Sequence, residues 1–143
     1  MATASRSRTL AAPQQDVWAL IADADHMPRW WPGVTRVEGV SEDHFTQVFK
    51  TKKGRSVRLD FEIIESDPPW LRTWRQEIDG TPFQRVLTES VISVELKSVG
   101  EGTEVTISHQ QRLRGYSRTG GFMLRRATRK KLDEALDGLA RVV

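Results

Sequence analysis

The chain has 143 residues, of which 38% are hydrophobic and 29% charged, with a formal net charge of +3 and no cysteine. That length suits one domain over residues 1–143, large enough for a proper core and too short for two. The missing cysteines exclude disulfides, thiolate metal sites and cysteine nucleophiles. No apolar run approaches the roughly 18 residues of a membrane span, and the cysteine-free composition makes a cytoplasmic address the default expectation. The opening MATASRSR is rich in Ser and Arg and free of acids, as transit peptides are. It lacks the apolar segment of a secretory signal and reads as the fraying lead of a first strand.

Taken in order, Arg6 to Ala11 reads as that strand, and Pro13 suits the first turn of a helix, where its missing N–H is no loss. Val17, Leu20, Ile21 and Ala24 recur at helical spacing, with Trp18 widening the apolar face. Pro28 fits a second, very short helix that Asp25 would cap. Trp30, Trp31 and a Pro32-Gly33 turn follow, and two adjacent indoles need something large to receive them. Strands are predicted at Val34–Val40, His44–Thr51 and Ser56–Ile64, the last placing Val57, Leu59, Phe61 and Ile63 on one face. Phe45, Gln47 and Phe49 share a face of the strand before it. Gly54 is available for a positive φ in the hairpin turn between these two strands. Asp67-Pro68-Pro69 breaks the pattern, since proline cannot join a ladder. A strand at Leu71–Ile78 and an irregular edge at Phe83–Leu87 come next. Ser90–Val99 and Thr103–Leu113 then flank the turn Gly100-Glu101-Gly102. Gly115–Gly121 reads as a loop in which Ser117 or Thr119 can cap a final helix from about Phe122 to Val142. Leu124, Thr128, Leu132, Ala135, Leu136, Leu139 and Val143 form its apolar stripe. Strands, small helices, more strands and one long helix lack βαβ alternation, so the sheet should be antiparallel.

Three stretches resemble a known family: AAPQQDVWALIADADHMPRWWPGV at the first corner, Asp67-Pro68-Pro69, and the hairpin VELKSVGEGTEVTI. They are similar to the START-like, or SRPBCC, superfamily, which includes polyketide cyclases and pathogenesis-related plant proteins. The resemblance implies an α+β helix-grip fold of the Bet v 1 type. A curved antiparallel sheet of six or seven strands would wrap a long C-terminal helix, with two short helices after the first strand. It also implies a hollow between sheet and helix that takes small apolar ligands. The mouth of that hollow is expected near the Trp30–Trp31 corner and the Gly115–Gly121 loop. Fold alone does not fix function.

Within that frame His109 stands out. It falls in phase with Val105 and Ile107, so alternation turns it inward, and Gln111 follows on the same face. A buried imidazole and amide can orient a ligand carbonyl, or His109 can act as acid or base, which makes it the best catalytic candidate. The alternative is a histidine satisfied by a local partner. The resemblance places Trp74 inward and brings Gln76 and Arg72 with it, whereas the apolar Leu71 argues for the other phase unless a bulge follows Pro69. Trp30, Trp31, Phe49, Phe61, Phe83, Phe122 and Met123 are further lining candidates, or simply core. Gly120-Gly121 offers a hinge beside the last two.

Charge is unevenly spread. From Arg112 onward nine basic residues face three acids, a net +6, and the rest of the chain carries −3. Arg125, Arg126, Arg129, Lys130 and Lys131 sit early in the last helix, against its dipole, with Asp133, Glu134 and Asp137 behind them. Arg129–Asp133 and Lys130–Glu134 are available i,i+4 pairs. The run is either a solvated face or a surface for an anionic partner. Nucleotide-loop, zincin and serine-hydrolase motifs are absent, no metal or cofactor is indicated, and the Asp23–His26 cluster reads as helix termination. The leading expectation is binding of a polyketide-, lipid- or isoprenoid-like molecule. An aromatase/cyclase activity in the same hollow and an interaction module working through the basic helix are the alternatives.

Overall fold

The computed structural model describes residues 2–115 and 118–143, with 118 and 119 described by their backbone alone. Period-two alternation produces seven strands: β1 (Ala2–Leu10), β2 (Val34–Glu38), β3 (His44–Lys50), β4 (Ser56–Asp67), β5 (Leu71–Gln76), β6 (Leu87–Val99) and β7 (Gly102–Leu113). They form one antiparallel sheet in the order β1-β7-β6-β5-β4-β3-β2. β2 to β7 is therefore a meander, and β1 adds to its far edge beside β7. Gly54 and Gly100 hold the two hairpin turns at φ +80° and +59°, where a β-carbon would be strained.

The short helices are α1 (Gln14–Ala22) and α2 (Met27–Trp30), with a 3₁₀ turn at Ala24–His26 between them. The Pro13 carbonyl accepts from the N–H groups of Asp16 and Val17 and starts α1. Asp25 does not cap α2, whose N-cap His26 makes no side-chain cap bond; Asp23 instead caps the 3₁₀ turn, its carboxylate accepting from the Asp25 N–H at 3.0 Å. The cluster is thus committed to turning the chain. The Phe83–Leu87 edge is instead a 3₁₀ turn at Pro82–Arg85, followed directly by β6. Pro82 has no N–H for a ladder, and the Thr81 hydroxyl accepts from Phe83 N.

α3 (Arg118–Val142) is 25 residues, about 37 Å at 1.5 Å per residue. It begins earlier than the pattern suggests, so Gly120 and Gly121 lie inside its first turn and not in a hinge loop. Capping by Ser117 or Thr119 lies outside the described residues. Thr128, Leu132, Ala135, Leu136 and Leu139 are buried, while Leu124 is half-buried and Val143 is exposed. The helix packs on β1 and α2. Arg6 and Arg8 of β1 pair with Asp133 and Asp137 at 3.5 and 2.5 Å, so Asp133, expected to pair within the helix with Arg129, joins Asp137 in clamping the helix to the sheet edge.

The two indoles are received by the sheet. Trp30 meets Trp31 edge-on at 5.5 Å, Trp31 meets Trp74 at 6.2 Å, Trp74 meets Phe45 at 6.1 Å, and Phe45 stacks on Phe61 at 5.2 Å. Offset and edge contacts of this kind add roughly 0.5–1.5 kcal/mol each beyond burial. Among the described residues no helix is long and apolar enough to cross a membrane.

Candidate functional site

Because α3 leans towards the β1 edge, the concave face over β3 to β7 is not filled. A hollow of about 190 Å³ remains there, lined by Trp31, Gln47, Phe49, Leu59, Phe61, Gln76, Phe83, Leu87, Ser90, Ile92, His109, Gln111 and Lys131. Phe49, Leu59, Phe83 and Lys131 keep part of their surface in solvent and mark its mouth, whereas Gln47, Gln76, Ser90, His109 and Gln111 are buried. The mouth therefore lies on the β3–β4 side of α3, and no described residue of the 115–121 segment contributes to the lining.

Seven of the expected lining residues meet here: Trp31, Phe49, Phe61, Gln76, Phe83, His109 and Gln111. Five do not. Trp30 is buried behind Trp31, and Trp74 is wedged fully buried between Trp31 and Phe45, so both support the wall without forming it. Arg72 shares the Trp74 phase, as the resemblance implies, but it is only half-buried and donates to the Ser66 hydroxyl at 2.9 Å. Phe122 and Met123 are 57% and 64% exposed. They precede Thr128 by six and five residues, which turns them off the face that Leu124, four before it, shares.

The residues missed were mostly legible by phase. Gln47 lies between Phe45 and Phe49 on their face, Leu59 precedes Phe61, and Ser90 is in step with Ile92. Lys131 is the instructive case. It stands three residues after Thr128 and four before Ala135, so helix geometry puts it on the inward face. Its place in a basic run had suggested the surface instead.

His109 Nε2 lies 2.8 Å from the Ser90 hydroxyl, while Nδ1 has no hydrogen-bond partner. The satisfied-histidine reading thus holds for one nitrogen only. Burial, reinforced by the neighbouring Lys131 charge, pushes the imidazole down to a pKa of about 3. At neutral pH it is uncharged, with nothing to give as an imidazolium acid and little driving force as a base. The Thr128 hydroxyl donates to Gln111 Oε1 at 3.1 Å and ties α3 to β7. Gln47 Nε2 reaches only the Met27 sulfur, at 3.1 Å. Gln76 Nε2, like His109 Nδ1, is buried without a partner.

Lys131 sits with its ammonium 5.8 Å from the Trp31 ring centroid. Burial lowers its pKa from 10.5 to about 8. The charged form is therefore disfavoured in the folded state at every pH below about 8, and the cost is relieved as pH rises from there to 10.5. Lys131→Met should accordingly stabilise the protein at pH 7 by about 2 kcal/mol, allowing for the lysine's partial exposure. It should also abolish the rise in stability between pH 8 and 10.5, which urea melts at several pH values would show.

A curved antiparallel sheet gripping a long helix over an amphipathic hollow defines the START-like helix-grip class. The family described as polyketide cyclase / dehydrase and lipid transport matches residues 1–143, and the chain belongs to it. Solved structures share the fold at low identity. The di-domain aromatase/cyclase BexL from the BE-7585A biosynthetic pathway is 21% identical over 99% of this chain and 46% of that one, with a TM-score of 0.82. A START superfamily protein from Mycobacterium smegmatis is 11% identical over 98% and 95%, with a TM-score of 0.78. A Thermobifida fusca protein is 24% identical over 98% and 91%, with a TM-score of 0.75. Among curated proteins no match was found.

Proposed function

We propose that this protein binds one small, mainly apolar organic molecule in the hollow between β3–β7 and α3. The observation that carries the reading is a hollow whose apolar walls (Phe49, Leu59, Phe61, Leu87, Ile92) hold two buried polar atoms with no partner, Gln76 Nε2 and His109 Nδ1. An unsatisfied buried polar atom costs roughly 1–3 kcal/mol, so an occupant that hydrogen-bonds to them gains what the empty fold forgoes. Family membership supports the same reading.

Size narrows the class. An engineered cavity of about 150 Å³ accepts benzene, so about 190 Å³ suits one ring with a short chain or two small fused rings. A folded polyketide of three or more rings needs the walls to part. For that reason, and because a neutral His109 is a poor proton shuttle, binding is the better-supported reading than cyclisation. A cytoplasmic address belongs to this proposal and rests on the cysteine-free sequence alone.

Native mass spectrometry of the protein purified from its own host is the test. A bound organic molecule is expected on the wild type and absent from Ile92→Trp, which fills the hollow from its floor. Identical spectra for the two proteins would overturn the proposal.

A further inference from the structure

Among the described residues that line the cavity, Lys131 is the sole charged side chain, and no Asp or Glu lines it there. It forms no ion pair with any described residue. The face of Trp31 is its partner, and cation–π attraction leaves the three N–H bonds of an ammonium in need of acceptors. The rest of the polar lining is also rich in donors. Gln76 Nε2 has two N–H bonds and no partner. His109 Nδ1 carries a proton whenever Nε2 accepts the Ser90 hydroxyl. Among the acceptors of the lining, Gln111 Oε1 is already engaged by Thr128.

Building on the proposed binding function, we infer that the occupant is an organic acid: an apolar body of one or two rings ending in a carboxylate that pairs with Lys131. A carboxylate is acceptor-only, with two oxygens and room for about four hydrogen bonds, and so complements a site of surplus donors. It also neutralises a partly buried cation, the condition under which such a charge ceases to be a liability. The lysine retains most of its charge at neutral pH, since its pKa of about 8 lies above it. The rest of the basic run then has a role that needs no macromolecule. Arg126, Arg129 and Lys130 are exposed on the same helix and Arg125 is half-buried, and together they place a positive field near the mouth that draws anions in.

Matched acid and amide pairs decide the matter: benzoate, cinnamate and 2-naphthoate, each against its carboxamide, titrated calorimetrically at pH 7 into wild type and Lys131→Met. At least one acid is expected to bind wild type about tenfold or more tighter than its amide, with the preference reduced to about twofold or less in Lys131→Met. Amides that bind as well as the acids, or a preference that survives in Lys131→Met, would overturn the acid assignment while leaving the binding function standing. If no member of any pair binds wild type, the cavity reading itself fails and the acid assignment falls with it.

Discussion

Gly138→Ala is expected to destabilise the protein by about 3 kcal/mol or more, read as a shift in the urea midpoint. A β-carbon on Gly138 would lie 2.2 Å from the Trp30 carbonyl oxygen and 2.7 Å from its α-carbon. Both are backbone atoms of α2, so no side chain can swing aside, and α2 and α3 must separate. In an unencumbered helix the same change gains up to about 1 kcal/mol from propensity, so the sign of the result isolates the contact. The Trp30–Trp31–Trp74 cluster starts from this crossing, and the near-ultraviolet circular dichroism should weaken with it. A neutral or stabilised variant would show that α2 does not sit against α3 in this way.

Acid should unfold the protein partly through one imidazole. His109 titrates near 3 in the folded protein because burial disfavours its charged form, with Lys131 adding to the effect, against an ordinary 6.5 when unfolded. Between those values the unfolded chain holds the extra proton, so stability falls as pH falls, reaching about 4 kcal/mol of loss near pH 3. His109→Gln carries no such proton. The difference in stability between wild type and His109→Gln should therefore shrink by about 4 kcal/mol from pH 7 to pH 3, whatever the surface carboxylates do in both. Parallel pH curves would mean that the imidazole is protonated in place.

The fold was legible because its strands alternate cleanly. Val105, Ile107, His109 and Gln111 fell on one face as expected, and all four are buried. The helix boundaries were less so, since glycines at 120 and 121 look like loop and sit in a helix whose stability comes from packing further along. The site was legible where it followed strand phase, as at His109 and Phe61, while Gln76 followed from the family resemblance. It was not where neighbouring residues misled. Lys131 hides in a run of five cations, and only its spacing from Thr128 and Ala135 marks it as the one that turns inward. Trp74 misled the other way: its size suggests a cavity wall, but Trp31 and Phe45 close over it. Cavities are what three-dimensional packing leaves over, and a sequence records only what is present.

The pairing of β1 with β7 has a consequence for how the molecule is made. Ala2 lies opposite Gln111 and Leu10 opposite Thr103, so the first strand finds its neighbour only after some hundred residues have followed it. During synthesis the meander from β2 onward can assemble progressively, but β1 stays unmatched until the last hairpin has emerged. Closing so long a loop is slow, and the waiting strand exposes hydrogen-bonding groups to other nascent chains. Alternating Ser5, Ser7 and Thr9 with Arg6 and Arg8 makes that strand a poor template for aggregation while it waits.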